Sequence, residues 1–358
     1  MSMTLAQFSE AQENCYKLRL AVHAKSKPGV GKTDVITQTV HNMSKKYNVP
    51  FGLHTLHLSC IDSIDAEGIR MPTTIIHDGK EYQISGTTRS PLLPPLGAPE
   101  RGFVFLDEVM QGTSDVLKPV ARFVNERRIG EHKLEPGWSI VMASNYTSDK
   151  AGVTRGMTFL TNRQMIVDIK ADVNVWVEWA LANKVHPLII AYAKYRPQKV
   201  FDGKLPDDPD EPFLSPRSLV NTGRVLTVVE SMELASEMVA GLIGKGSSGE
   251  VMGFIRMADQ LPEYEEIIRD PEGTPAPNAP DAIFAACQMI AHKVTPDTAV
   301  PAFKWLKKLP RDFQVTCLRE AMARPDVAQA GLLANEEFTK WVQDHSHLVI
   351  AASGGGSV

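Results

Sequence analysis

The segment SKPGVGKT, residues 26 to 33, constrains the fold more than any other part of this sequence. It follows an apolar run, Leu18 to His23, and precedes a helical pattern, so it predicts a strand, a tight loop and a helix in succession. Gly29 and Gly31 allow backbone N–H groups to curl around an anion, and the N-terminus of the following helix adds partial positive charge. A unit of this kind is typical of parallel α/β sheets.

Short apolar runs alternate with longer helical patterns through about residue 170, which predicts a three-layer α/β/α fold with a five-stranded parallel sheet. The third of these runs is apolar on consecutive residues, as expected for a parallel strand covered by helices on both faces, and we expect it at the centre of the sheet. The five predicted strands are Leu18 to His23, Leu53 to Ser59, Phe103 to Asp107, Ser139 to Ser144 and Met165 to Ile169.

The pattern changes along the chain and predicts several regions. Residues 1–170 form the sheet domain, with a hairpin insert near 73–84 because Asp78-Gly79 lies between two β-favouring runs. Residues 171–269 form an all-helical lid, in which Ser215 caps a helix that has Pro216 in its first turn. The Pro-rich stretch 270–281 predicts a linker to a C-terminal helical segment, 282–350, and we expect the tail 351–358 to be disordered.

Composition limits the class of partner and the compartment. The formal net charge is −4, and acidic and basic residues are interspersed, so no general nucleic-acid or membrane binding is indicated. The four cysteines are far apart and form no CxxC pair, which favours reduced structural thiols. The first residues lack the apolar core of a signal peptide, and no run approaches the length of a membrane span. We expect a soluble, cytoplasmic protein.

The loop residues predict a site for ATP and Mg²⁺. Lys32 can reach the β- and γ-phosphates, and the Thr33 hydroxyl can coordinate Mg²⁺. Ser26 stands where the usual loop begins with glycine, and if that position needs a positive φ, strain there should lower nucleotide affinity. The residues predicted to bind the nucleotide are Ser26, Pro28, Gly29, Val30, Gly31, Lys32, Thr33 and Asp34.

Polar side chains end two of the later predicted strands. FVFLDE ends in Asp107 and Glu108 at the carboxyl end of its strand, where open α/β sheets bind ligands. Asp107 would hold Mg²⁺ together with Thr33, and Glu108 would orient and polarise the attacking water. Asn145 ends WSIVMASN and could hold the same water. The alternatives are a solvated pair of acids at a strand end and an asparagine in an ordinary turn.

These motifs resemble those of AAA+ ATPases, in particular the MoxR-like branch and its dynein-related neighbours. The resemblance runs from about Leu18 to Val225, in the order phosphate loop, Walker B strand and sensor 1 at Asn145. It implies that Arg163 in FLTNRQMIVDI is an arginine finger, although Gln164 replaces the usual aromatic residue. It also implies that Arg217 in FLSPRSL is the second sensor.

The residues alone leave other interpretations of both arginines open. Arg163 could form a surface salt bridge, in which case Arg155 is the nearest substitute. Arg217 could be a solvated residue in the first turn of its helix. For Arg217, only the resemblance favours a catalytic role.

The resemblance implies a ring-forming, hexameric ATPase that hydrolyses Mg-ATP at interfaces between identical subunits to remodel or activate a protein partner. Relatives commonly act beside a von Willebrand factor A domain protein, which is the first partner to test. In MoxR-like proteins an insert at the position of the hairpin faces the central pore, so the hairpin either contacts a partner or is only a covered edge. Two alternatives stay open: a nucleic-acid-directed motor, against which the near-neutral charge argues, and a slow nucleotide-dependent switch.

Overall fold

The computed structural model describes residues 2–146, 162–322 and 324, apart from 204, 207 and 209. The described residues divide into two compact units, Met1–Ala180 with Gln198–Ser218 and Leu181–Pro197 with Leu219–Val358. No helix in these ranges is both long enough and apolar enough to cross a membrane.

A six-stranded parallel sheet is the centre of the first unit. Its strands are β1 (Ser2–Met3), β2 (Val22–Ser26), β3 (Phe51–His57), β6 (Arg101–Asp107), β9 (Trp138–Asn145) and β10 (Met165–Ile169). Their order in the sheet is β1-β10-β2-β9-β6-β3, and every neighbouring pair is parallel. All strands therefore begin at one edge of the sheet, here called the amino edge, and end at the other, the carboxyl edge.

Helices cover both faces of this sheet. Along β6, Phe103 and Phe105 pack with α1 (Leu5–Leu18) and α2 (Lys32–Tyr47), whereas Val104 and Leu106 pack with α4 (Ser114–Glu126). Because successive side chains of a strand point to opposite faces, its consecutive apolar residues serve both layers. The predicted α/β/α fold with a parallel sheet is confirmed.

Three details of the predicted sheet are wrong. The sheet has six strands rather than five, because Ser2–Met3 pairs with β10 as an additional edge strand. The strand β6 is interior but second from the edge, since β3 lies outside it, and β2 and β9 are the central pair. The first predicted strand also begins later, at Val22, because Leu18 is the last residue of α1. Arg19 then adopts the left-handed conformation, with φ 56°, and its N–H bonds the last turn of α1.

A β-hairpin follows α3 (Ser63–Glu67) in the first unit. Its strands are β4 (Arg70–His77) and β5 (Lys80–Thr87), so it is longer than the predicted 73–84. Asp78 and Gly79 both have positive φ, 49° and 72°, as two-residue hairpin turns require. The register places one set of apolar side chains on the same exposed face: Met71, Ile75, Tyr82 and Ile84. A second small hairpin joins β7 (Arg128–Ile129) to β8 (His132–Lys133).

The chain continues as helices after β10. In order they are α5 (Val173–Ala182), α6 (Pro187–Tyr195), α7 (Pro197–Phe201), α8 (Pro216–Val228), α9 (Met232–Ile243), α10 (Lys245–Asp259), α11 (Tyr264–Arg269), α12 (Pro280–Lys293), α13 (Ala299–Leu306) and α14 (Arg311–Met322).

The last helices pack around a core that contains Trp305, Cys287 and Ile290. Residues 270–281, expected to be a linker, contact this core, because the Trp305 indole and Lys308 both donate to the carbonyl oxygen of Thr274. The predicted C-terminal segment beyond residue 324, including the tail 351–358, lies outside the described residues.

Candidate functional site

The glycine-rich loop connects β2 to α2 at the carboxyl edge of the sheet. β2 ends at Ser26 and α2 begins at Lys32. Gly29 and Gly31 have φ values of 74° and 103°, which side chains with a Cβ rarely adopt. The loop can therefore turn tightly and present N–H groups at the start of α2, an arrangement suited to a phosphate group.

The Lys32 side chain is buried beneath this loop. Its Nζ donates to Ser26 Oγ at 2.7 Å, to Asn145 Oδ1 at 3.0 Å and to the Lys27 carbonyl oxygen at 3.3 Å. A buried ammonium group needs such partners, because water cannot solvate it there. The contact with Asn145 arises because Ser26 and Asn145 are paired at the ends of the neighbouring strands β2 and β9.

Ser26 belongs to β2 and is fully buried. It is not among the residues with positive φ, so the strain expected for a serine at this position is absent. Its hydroxyl accepts from Lys32 and donates to the Lys27 carbonyl oxygen at 2.7 Å. Ser26, which replaces the usual glycine of the loop, therefore helps to hold the Lys32 side chain.

Thr33 and Asp107 lie on either side of the position expected for a metal ion. Thr33 Oγ1 is 3.2 Å from Asp107 Oδ2, and the other Asp107 oxygen accepts from the Glu108 N–H at 2.9 Å. His57, opposite Asp107 on β3, approaches the same carboxylate to 4.0 Å. A hydroxyl and a carboxylate at this spacing fit Mg²⁺, which prefers oxygen ligands.

Glu108 follows the end of β6 in the left-handed conformation, with φ 54°. Glu108 Oε2 accepts from the Ser59 hydroxyl at 2.5 Å. Sequence reasoning missed Ser59 as a partner. The signal that could have indicated it is its position just after β3, which runs beside β6.

A buried histidine lies beneath the loop on β2. His23 Nε2 is 2.7 Å from Ser144 Oγ, and its Nδ1 is 3.2 Å from Gln164 Nε2. Burial lowers the pKa of His23 to about 3, and the positive charges of Lys25 and Lys32 add to this effect. The imidazole is therefore neutral at physiological pH, with the Gln164 amide donating to Nδ1 and Nε2–H donating to Ser144.

The start of α8 packs directly against the glycine-rich loop. A Cβ added to Gly29 would lie 2.9 Å from Ser215 Oγ and 3.5 Å from the Arg217 Cβ. Ser215 Oγ accepts from the Ser218 N–H at 3.2 Å, which is the predicted helix cap. Arg217, in the first turn of α8, is exposed next to the loop. On the other side, Lys27 Nζ donates to the carbonyl oxygens of Asp202 and Gly203.

The remaining predicted loop residues differ in exposure. Val30 is buried in the core beside α2, and Pro28 is half-buried in the loop. Asp34 is exposed in the first turn of α2, where its negative charge is favourable for the helix. None of these three side chains contacts Asp107 or Glu108 through a hydrogen bond within the described part of the chain.

Arg163 lies apart from these groups. It is exposed in the turn before β10, and β10 begins with Met165 opposite Val22, so Arg163 is at the amino edge. The glycine-rich loop is at the carboxyl edge. The structure therefore does not bring Arg163 to the loop of its own chain. Arg155, its substitute in the sequence analysis, lies outside the described residues.

No protein-family model matches this chain, and no curated protein matches it significantly. Among solved structures, a RuvB mutant from Thermotoga maritima is 15% identical, and the alignment covers 74% of this chain and 74% of that one at a TM-score of 0.36. NtrX from Brucella abortus in complex with ATP is 14% identical, with 90% and 68% covered at a TM-score of 0.39. Similarities this weak carry no argument about function.

The class of protein follows from the structure of the chain itself. A parallel sheet lies between helical layers, a glycine-rich loop joins β2 to α2, and a helical region follows the sheet. Together these features define a P-loop α/β/α fold.

Proposed function

We propose that this protein is an AAA+ ATPase of the MoxR-like branch that binds Mg-ATP at the glycine-rich loop and hydrolyses it with help from a neighbouring subunit. One observation carries the proposal. Lys32 contacts Asn145 while the adjacent Thr33 contacts Asp107, so the loop is joined to the ends of two other strands. Glu108 follows Asp107 directly, and the groups that the reaction needs therefore line one edge of the sheet.

The chemistry assigned to each side chain follows from its position. Lys32 would exchange its present oxygen partners for the β- and γ-phosphates, and Thr33 with Asp107 would hold Mg²⁺. The bound ion supplies positive charge to the phosphate oxygens. Glu108 would orient a water molecule and accept its proton as the water oxygen attacks the γ-phosphorus. The bond from that phosphorus to the bridging oxygen breaks, and ADP and phosphate leave.

The position of Arg163 supports a role in a neighbouring subunit's site. Met165 is opposite Val22, so Arg163 precedes the register position of Ser26 by six residues, or roughly 20 Å at about 3.3 Å per residue. An arginine side chain is much shorter than this. Its guanidinium group would instead neutralise the charge that develops on the phosphoryl group in the next subunit. Arg217, beside the loop, would contact the nucleotide in its own subunit.

We place this activity in a cytoplasmic, hexameric ring that remodels a protein partner, with a von Willebrand factor A domain protein as the first candidate from the sequence resemblance. The hairpin supports a protein partner. Its face formed by Met71, Ile75, Tyr82 and Ile84 is exposed, and contiguous apolar surface favours contact with another apolar surface over contact with a phosphate backbone.

The variant Lys32→Ala tests the site. It should abolish ATP binding or weaken it at least about a hundredfold, because the ammonium group that binds the β- and γ-phosphates is lost. Lys25→Ala removes a lysine from the preceding strand β2 and is the matched control, which should bind ATP like the parent. Calorimetry with Mg-ATP measures both affinities. Unchanged affinity in Lys32→Ala would remove Lys32 from the site and, with it, the proposed function.

A further inference from the structure

A cavity of about 830 Å³ opens at the amino edge of the sheet, opposite the glycine-rich loop. It lies between the end of α1, the Pro-rich loop before β6 and the starts of β6 and β9. Tyr16 and Trp138 form part of its wall, where the Tyr16 hydroxyl donates to the Gly137 carbonyl oxygen and the Trp138 indole to that of Pro99. These contacts hold the wall in place.

The lining of this cavity is mainly positive. The lining holds four cations, Lys17, Arg19, Arg89 and Arg101, and two carboxylates, Glu100 and Glu135, and Lys17 is paired with Glu13 at 2.8 Å. Burial raises the pKa of Tyr16, and the positive charges of the exposed Arg101 and Arg19 oppose this shift. Leu96 in the lining is 85% exposed, and Leu18, between Lys17 and Arg19 in the sequence, is 67% exposed. The cavity therefore suits an acidic peptide segment.

The same unit carries an acidic segment at its other edge. Asp208, Asp210 and Glu211 are exposed in one turn, in which the Asp210 N–H donates to Asp208 Oδ1 and the Glu211 N–H to the Asp208 carbonyl oxygen. The segment that carries this acidic turn is attached to the glycine-rich loop on both sides. Before the turn, Lys27 Nζ donates to the carbonyl oxygens of Asp202 and Gly203, and after it Ser215 lies beside Gly29, where an added Cβ would be 2.9 Å from Ser215 Oγ. Both attachment points are at the carboxyl edge.

The cavity and the acidic turn cannot meet within one chain, because the length of the parallel sheet separates them. Between two copies stacked head to tail they can, and repeated contacts of this type close into a ring when the rotation between copies allows it. Arg163 lies at the same amino edge as the cavity. A contact that brings the cavity to a neighbour's acidic turn therefore also brings Arg163 towards that neighbour's glycine-rich loop.

We propose that the amino-edge cavity of one subunit binds the acidic turn of the next subunit through Asp208, Asp210 and Glu211, and that this contact sets the position of Arg163. The inference rests on the proposed function for the role of Arg163, but the contact itself is independent of hydrolysis. Opposite charges at such a contact mainly fix register and orientation, which is what a finger supplied by a neighbour requires.

Reversing the charges on each side tests the contact. One variant combines Arg19→Glu with Arg101→Glu, and the other combines Asp208→Lys, Asp210→Lys and Glu211→Lys. Each variant alone then carries like charges on both sides, so self-assembly should need at least about tenfold more protein than the parent does, by sedimentation velocity. An equimolar mixture should assemble, because every contact in an alternating ring again joins opposite charges.

A matched control reverses two exposed cations elsewhere, Lys118→Glu with Arg122→Glu on α4, and should assemble like the parent. Circular dichroism and Mg-ATP affinity check that each variant is folded, and the milder pair Arg19→Gln with Arg101→Gln serves if reversal prevents folding. A mixture as dissociated as its folded components would overturn the proposal. A turn variant that assembles like the parent, while the cavity variant does not, would also overturn it, since the cavity would then receive a different acidic partner.

Assembly and activity are separate readouts in this experiment. If the mixture assembles but neither it nor the parent binds or hydrolyses ATP, the proposed function fails while the contact stands. If the parent hydrolyses ATP but sediments as a monomer at every concentration, the contact fails while the nucleotide site stands.

Discussion

At the residue scale, the Glu108 carboxylate contributes little to the stability of the fold. It is half-buried in a turn, and Ser59 is its hydrogen-bonding partner. The variant Glu108→Gln should keep ATP bound but reduce turnover by about a hundredfold or more, since an amide cannot accept the proton of water. Phosphate release measures turnover, and Glu126→Gln at the end of α4 is the control. Normal hydrolysis by Glu108→Gln would show that another group is the base.

His23 should make the fold sensitive to acid. Its pKa is about 3 in the folded chain and near 6.5 when unfolded, so between these values the unfolded state takes up a proton that the folded state excludes. This contribution to stability is complete above about pH 6.5 and decreases as the pH falls towards 3.

The variant His23→Gln removes this titration. It should be less stable than the parent at pH 8, because it loses the bonds to Ser144 and Gln164, but the difference should narrow as the pH falls to 5. The narrowing approaches about 1.4 kcal/mol per pH unit below the unfolded pKa. Urea unfolding at both pH values measures it. A difference that stays constant with pH would mean that His23 titrates normally in the folded state.

The sequence predicted the loop and the strand ends because their signals are local. Glycines, an apolar run and two acids occur within a few residues of each other, and parallel topology brings the strand ends to one edge. The contacts of Ser59 with Glu108 and of Gln164 with His23 join residues 49 and 141 positions apart. No periodicity in the sequence encodes such pairs, because they depend on which strands are neighbours and on the register between them.

At the element scale, the packing of the glycine-rich loop against the start of α8 explains why Gly29 must lack a side chain. Its φ is 74°, and a Cβ would lie 2.9 Å from Ser215 Oγ. Gly97 in the Pro-rich loop has a similar φ, 84°, but an added Cβ would have nothing within 4 Å. Substitution at Gly97 therefore causes backbone strain alone, whereas substitution at Gly29 also causes a steric clash with Ser215.

The variant Gly29→Ala should lower ATP affinity at least about tenfold, because the loop must shift away from α8. Gly97→Ala should bind ATP like the parent and lose only about 1 kcal/mol of stability from its backbone. Calorimetry and thermal unfolding measure the two effects. Equal ATP affinities in the two variants would mean that the contact with Ser215 does not shape the loop.

At the scale of the whole molecule, activity should belong to the assembly. Arg163→Ala should still bind ATP, since Lys32 and Thr33 are intact, but should hydrolyse it about a thousandfold more slowly. Mixing it with Lys32→Ala should restore part of the turnover, because those subunits bind ATP poorly yet can offer Arg163 to a neighbour. Phosphate release from the mixture measures the rescue.

The control for this mixture replaces Lys32→Ala by a chain that carries both Lys32→Ala and Arg163→Ala. Such a chain fills the same place in the ring without an arginine and should give no rescue. Equal turnover in the two mixtures, in rings shown to contain both chains, would contradict a role for Arg163 in the neighbour's site and would direct attention to Arg155.

The uniform direction of the six strands has a consequence for any ring made of these subunits. Because each subunit has two different edges, a ring built by joining one edge to the other has no two-fold axis in its plane. Its upper and lower surfaces are then chemically distinct. A polypeptide that enters such a ring meets one surface first and leaves by the other, so the asymmetry of the ring defines the direction in which ATP hydrolysis could drive its movement.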